Sequence, residues 1–324
     1  MSLSSARSVP PSRPAGAPGG RGVAGRRRGL GKRFLVVGDV MDGVLVHTRA
    51  TGPGDHDPAA TIRHRPAGAA GNTATWLGWL GAEVDLVGRV GVDDVYRHAR
   101  ALEDAGVRPH IHHDAGTSTG VVVSVRNARA RTSMSDGAAS ALVTAGDVPD
   151  ELVARADIVH LTGEAMLGSG GVERLAALVS RARSGSARVS FDPSSAAVVR
   201  ATGGSAFLEA IAGVDLLVPG AAEALALTGA ADVVEATRIL SHSVPLVVVT
   251  LGHEGVLVGR PGRSPQRVPA TAATVVDTIG AGDAFAAGFI RAWATDPVRV
   301  GAAAREGARV AARALGFVGG RPPV

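Results

Sequence analysis

Six short apolar runs recur along the chain: RFLVVGDV (33–40), VDLVGRV (84–90), ADIVHLTG (156–163), ARVSFDP (187–193), VDLLVPG (214–220) and PLVVVTLG (245–252). Runs that are apolar on both faces are what strands look like when a sheet is covered on both sides, as parallel sheets are. Stretches with helical spacing, such as VYRHARALEDAG (95–106) and GVERLAALVSRARSG (171–185), fall between them. The alternation predicts an α/β fold with a mainly parallel central sheet and helices on both faces. Ligands of such sheets bind beyond the carboxyl ends of the strands. That rule singles out Asp39 and Asp42, Asp192, Gly220 to Glu223, Thr250 and Gly252, and Asp277 to Asp283. Two segments break the rhythm, 44–66 and 119–134, where apolar and polar residues partly alternate. They predict a small half-exposed β-sheet outside the main one, a lid.

At 324 residues, 45% hydrophobic and 3% aromatic, the chain can build one large α/β domain or two modest ones with a core of Ala, Val and Leu. No internal repeat and no domain boundary is visible after residue 34. The formal charge of +5 is unevenly placed. Eight of the 34 basic residues lie in residues 1–33, which hold no acid, leaving 26 basic against 29 acidic residues in the remainder. The body is mildly acidic, which argues against nucleic-acid binding by the folded domain. The Pro/Gly/Arg-rich segment 1–33 has no apolar periodicity and is expected to be a disordered basic tail. It has no apolar core of a secretion signal, and no later run reaches the about 18 apolar residues of a membrane span. The expected location is cytoplasmic. Cysteine is absent, which excludes disulfides, thiolate nucleophiles and Cys-ligated zinc.

The stretch DTIGAGDAFAAGF (277–289) concentrates two glycines and a carboxylate just before an apolar run. Gly280 and Gly282 leave the backbone open, and the run after Asp283 reads as a helix with that carboxylate in its first turn. A helix start there offers unpaired N–H groups and the positive end of a dipole to a phosphate or an oxyanion. Asp283 beside it is placed to accept a proton from an attacking hydroxyl, so the pair points to phosphoryl transfer to an alcohol. The bland use of the same residues is a helix cap and a turn.

DTIGAGDAFAAGF resembles the carboxyl-terminal signature of the ribokinase-like (PfkB-type) carbohydrate kinases. AGAAGNTATWLGWLGAEVDLVGRVG (67–91) resembles their second signature, with Gly68, Asn72, Ala74, Gly81 and Gly91 at matching spacing. The resemblance covers about residues 34–319 and implies a ribokinase-like domain with a β-sheet lid, leaving 320–324 as a C-terminal tail. It implies ATP-dependent phosphorylation of a hydroxyl, primary by expectation, on a sugar or sugar acid, with a nucleoside such as adenosine or pseudouridine as the alternative acceptor. By the same resemblance Asp283 is the catalytic base, and the backbone of Gly280, Ala281 and Gly282 is the anion hole. Asp277 and Thr278 fall where many members hold a monovalent cation, which implies potassium. Thr250, Gly252 and Gly255, in VVVTLGHEGVLV (247–258), resemble ATP contacts. On the substrate side relatives show a hydroxyl-binding aspartate about five residues after the glycine matching Gly38; Asp42 stands four after it, and Asp39 is its rival. Gly68 and Asn72 would complete that grip, Asn72 having the alternative of capping the following helix. Where the family often shows Asn-x-x-Glu, this chain has GAAE, so Gly220 replaces the Asn while Glu223 remains for Mg²⁺ and nucleotide. Lids of the family also serve as dimer contacts, which implies a homodimer. A non-catalytic sugar or nucleotide sensor is the reading from another class, favoured by Gly220 alone.

Other signals carry less. GTSTG (116–120) matches G-x-S-x-G, but the β-like VVVSV after it is wrong for a nucleophile elbow. HIHHD (110–114) is read as a polar strand rather than a metal site. The only lysine is Lys32 and no Walker phosphate loop exists. Phe285 stands where a dinucleotide fingerprint needs its third glycine. Trp76 and Trp79 are expected in the core or an interface rather than as a sugar platform.

Overall fold

The computed structural model describes residues 31–48, 59–126, 131–163 and 170–323. The apolar runs become strands because Val, Ile, Leu and Phe at successive positions can be buried on both sides. The chain begins with β1 (Arg33–Val37), β2 (Met41–Thr48), β3 (Ala60–Ala67), α1 (Ala69–Trp79), β4 (Glu83–Gly91) and α2 (Val95–Glu103). It continues through β5 (Val107–Asp114), β6 (Gly120–Arg126), β7 (Arg131–Asp136), α3 (Asp150–Arg155), β8 (Ile158–Thr162) and α4 (Gly171–Arg183). Then come β9 (Arg188–Asp192), α5 (Ala196–Thr202), α6 (Gly204–Ala210), β10 (Leu216–Leu217), α7 (Ala221–Thr228) and α8 (Val233–Ser243). The last elements are β11 (Leu246–Thr250), β12 (Val256–Arg260), β13 (Arg263–Val268), α9 (Ala281–Thr295) and α10 (Val300–Ala314).

The main sheet has the order β13-β12-β11-β10-β9-β8-β1-β4-β5. Pairing is parallel from β11 through β5, and β12 and β13 add an antiparallel edge. All six apolar runs lie in the parallel part. Alternate residues of β1 enter opposite cores: Leu35 and Val37 pack toward α4, α6, α7 and α8, Phe34 and Val36 toward α1, α9 and α10. Helices therefore cover both faces, as expected. HIHHD forms the parallel edge strand β5, where His110 contacts Asp85 at 2.9 Å and His112 the Asp147 carbonyl at 3.0 Å. Ser118 runs into strand β6, not a helix, and Trp76 is core, edge-on to Trp79 at 5.5 Å.

A second sheet, β3-β2-β6-β7, is the lid. Its β2–β6 pair is parallel and its two outer pairs are antiparallel. It starts at Met41 and ends at Asp136, wider than the bounds read from the sequence, which also include residues 49–58 and 127–130 that lie outside the described residues. Two domain bounds need correction. The disorder expected for 1–33 lies outside the described residues up to residue 30, but Lys32 Nζ and the Arg33 amide both bond Asp157, at 2.7 and 2.9 Å. Residues 320–323 are not a tail: Gly320 and Pro322 are buried, and Gly320 accepts a hydrogen bond from the Trp76 indole at 2.9 Å. Among the described residues no helix is long and apolar enough to cross a membrane.

His160 on β8 is fully buried, its Nδ1 2.8 Å from Ser190 Oγ, and burial pushes its pKa down to about 4 from 6.5. A histidine with a depressed folded-state pKa makes unfolding take up a proton, so stability is lost as pH falls from about 6.5 toward 4. The expected loss from this group is about 2 kcal/mol by about pH 5. Urea denaturation at about pH 7.5 and about pH 5 measures it; the gap should narrow in His160→Asn, and an equal gap in that variant would assign the acid sensitivity elsewhere.

Candidate active site

Between the lid and the carboxyl ends of the main strands lies a cavity of about 340 Å³. Asp283 lines it from the first turn of α9, and Gly280 precedes the helix in the left-handed conformation, φ 72°. A side chain at Gly280 would overlap the backbone of Gly320, so glycine is required there by both conformation and space. Gly280 and Gly282 line the cavity; Ala281 does not, though it opens the same helix. The Gly282 amide, in the first turn, has no intrahelical acceptor and stands at the positive end of the dipole.

Asn72 is inside α1 rather than at its start, because the helix begins at Ala69. Its capping alternative is thereby replaced: Nδ2 donates to Asp283 Oδ2 at 2.7 Å, and Thr73 Oγ1 donates to the Asp283 carbonyl at 3.4 Å. The α1 amides of Ala69 and Ala70 are capped from a distance by Asp39, whose carboxylate accepts them at 2.5 and 3.3 Å and accepts Thr162 Oγ1 at 2.6 Å. Gly68, φ 92°, lets the chain turn against the Asp39 carbonyl, where a Cβ would overlap. Asp39, Gly68 and Asn72 all line the cavity, but both Asp39 oxygens are occupied by the protein.

Asp42 is not brought to the cavity. Side chains alternate along β2, so Met41, Gly43 and Leu45 face inward and Asp42 faces out. There it forms a two-pronged ion pair with Arg97, at 2.7 and 2.8 Å, and approaches buried His98 at 3.4 Å. Gly43 is the fifth residue after Gly38 and takes the inward position. Asp277 is also turned away: buried, it accepts the amides of Ile279 at 3.2 Å and Gly319 at 3.0 Å and so shapes the loop before α9. Neither Asp277 nor Thr278 lines the cavity.

Glu223 and Thr250 do line it, on α7 and at the end of β11. The Glu223 carboxylate folds back beside Gly220, where any side chain would overlap it. Gly252 and Gly255 form the turn from β11 to β12, with φ 60° and 92°, outside the cavity lining. Asp192, at the end of β9, joins the acidic wall; burial and then the charges of Asp283 and Glu223 hold its carboxyl well above the usual carboxylate range.

Two residues had no sequence signal. Arg321, from the segment read as a tail, bonds Asn72 Oδ1 through Nε at 3.4 Å and the Ala67 carbonyl through Nη2 at 3.1 Å. Its Nη1 is buried without an acceptor, and burial lowers its pKa to about 10 against the pull of Asp42, Asp283 and Asp39. Arg65 lines the cavity from β3.

A sequence profile for the pfkB family carbohydrate kinases matches residues 32–323. An ATP-dependent ribose-1-phosphate kinase from Halopiger xanaduensis is 33% identical over 247 residues, 74% of this chain and 78% of that protein. The bifunctional protein HldE of Azotobacter vinelandii is 31% identical over 77% of this chain, which spans about half of that relative's length, 53%. The crystal structure of an adenosine kinase from Sinorhizobium meliloti superposes with a TM-score of 0.79 over 90% of this chain and 96% of its own, at 23% identity, a likeness of fold.

Proposed function

Because the chain belongs to the pfkB family of carbohydrate kinases, we propose that it transfers the γ-phosphoryl group of ATP to a hydroxyl, primary by preference, of a sugar, sugar acid or nucleoside, with Asp283 as general base. The observation that carries this reading is the Asn72–Asp283 hydrogen bond of 2.7 Å at the open end of α9, inside the cavity. Asn72 donates to one carboxylate oxygen and so holds the plane of the group at the cavity wall, where the carboxylate can take the acceptor's proton. As the oxygen–phosphorus bond forms and ADP leaves, the Gly282 amide and the α9 dipole face the negative charge of the transferred group. The lid walls the reacting groups off from water.

Mg²⁺ fits the donor set. Glu223 and Asp192 offer hard oxygen ligands; the Asp192 carboxyl is raised by burial first and then by the charges of Asp283 and Glu223, and a cation between these carboxylates would relieve that second contribution. Among the described residues no three side chains form a metal cluster by themselves, so the ion would arrive with the triphosphate and its waters. It would supply charge neutralisation to the phosphates.

The test is ADP release in Mg²⁺, K⁺ and ATP with pentoses, hexoses, keto-deoxy acids, their phosphates and nucleosides, against a blank without acceptor. Acceptor-dependent release is expected. Silence across the panel from folded protein with ATP bound would sink the kinase reading and favour a sensor, to which Gly220 is the one pointer.

A further inference from the structure

The lid wall of the cavity differs from the wall opposite it. Gly43 pairs with Arg65 across β2 and β3, and Leu45 with Ser124 across β2 and β6. Ser124 pairs in turn with Ser133 across β6 and β7. Paired residues share a face, so Gly43, Arg65, Ser124 and Ser133 all present to the cavity, and all line it. Because Gly43 has no side chain, nothing stands beside the Arg65 stem on that strand pair. Arg65 is exposed, and its Nη1 donates to the carbonyl of His64 at 3.2 Å. Among the described residues Arg65 has no ion pair, although Arg97, Arg108 and Arg181 elsewhere on the domain do. The acids of the cavity, Asp39, Asp192, Glu223 and Asp283, stand just after β1, on β9, on α7 and on α9, the wall of the main sheet; Asp39 is tied up by the start of α1 and Thr162.

A neutral polyol needs acceptors for its hydroxyl protons, and the substrate side has few to give. Both Asp39 oxygens hold α1 amides and Thr162. Asn72 is engaged at both ends, by Asp283 and Arg321. The two serine hydroxyls lie 3.4 Å apart and bond each other. What the lid wall does offer is a cation with five donors in a fork, suited to phosphate or carboxylate.

We infer that the acceptor is an anionic polyol, a sugar bearing a phosphate or a carboxylate away from the hydroxyl that is phosphorylated, and that Arg65 is the residue that selects it. This rests on the kinase reading and adds the substrate class. The anion would sit against the lid, the wall whose lining carries no carboxylate, and the reacting hydroxyl would be left toward Asp283. A substrate reversed in the cavity would set its anion among the acids of the main-sheet wall.

The experiment compares kcat/KM for matched acceptors: ribose 1-phosphate and fructose 1-phosphate, 2-keto-3-deoxygluconate, and the neutral ribose, fructose and adenosine. Wild type should prefer an anionic member, and the phosphate and carboxylate arms identify which group is read. In Arg65→Gln the ratio of anionic to neutral kcat/KM should fall about 10- to 100-fold, mainly through KM, as loss of a charge-assisted contact predicts. Arg65→Lys should recover part of that ratio, which a merely structural effect would not do. A neutral acceptor turned over best, with the ratio unmoved in Arg65→Gln, would overturn the inference and leave the kinase standing. Calorimetric titration of the same phosphates into Asp283→Asn, which needs no turnover, separates the converse case. Arg65-dependent binding there, with no ADP release by wild type, would keep the anion site and sink the kinase; no binding of any anionic probe would sink the anion site.

Discussion

Asp283→Asn is expected to bind ATP and acceptor as wild type does and to lose about 10²–10⁴-fold in kcat, the range that general-base removal costs. The substitution is nearly isosteric. In the wild type Asn72 Nδ2 donates to Asp283 Oδ2 at 2.7 Å, and the amide oxygen introduced by the substitution can accept the same bond. The introduced amide nitrogen would then face the acceptor hydroxyl, where a donor stands in place of a base. Binding contacts of the acceptor with the lid and of the triphosphate with the Gly282 amide are untouched. Single-turnover ADP formation should therefore collapse while Kd for each ligand, read by calorimetry, stays within a few-fold. A kcat near that of wild type would remove Asp283 from the chemistry and leave it as a first-turn helix residue. Loss of binding together with turnover would make its role one of holding α1 against α9.

The parallel sheet and the place of Asp283 were legible because both signals are local. A run apolar at every position admits few other homes than a strand covered on both faces, and each of the six runs is one. Likewise the glycines before Asp283 and the apolar body after it define a helix start within a short stretch of chain. Asp42 illustrates what a local signal cannot hold. Strand side chains alternate, so a shift of one residue between Asp42 and Gly43 exchanges cavity for surface, and pairing with β3 and β6 decides which. Asp39 illustrates a second kind. Its carboxylate caps a helix whose first amide is 30 residues away, and no spacing rule links the two. Arg65 became visible only through the register that sets it opposite a glycine.

The C-terminal segment gives the other large effect, because it closes the site from behind. Deleting residues 320–324 is expected to lower kcat by more than about tenfold and Tm by about 5–10 °C. The deletion removes the Gly320 carbonyl that accepts the buried Trp76 indole and the Arg321 bonds to Asn72 and Ala67. A buried donor left without an acceptor costs about 1–3 kcal/mol, and each kcal/mol moves Tm by about 2–4 °C in a domain of this size. It also uncovers Gly280, whose missing side chain makes room for Gly320, so the turn that aims α9 at the cavity loses its backing. Arg321→Met separates the two consequences. A buried guanidinium with one nitrogen unpaired is costly to keep, so its replacement by an apolar side chain should change Tm little. Asn72 would lose the donor at its Oδ1 and be freer to rotate away from Asp283, so kcat should still fall. Differential scanning calorimetry and ADP release on both variants measure this. A truncated chain with wild-type Tm and kcat would return residues 320–323 to the status of a tail, whereas a loss of kcat alone in Arg321→Met would make that side chain the part of the segment that positions the base.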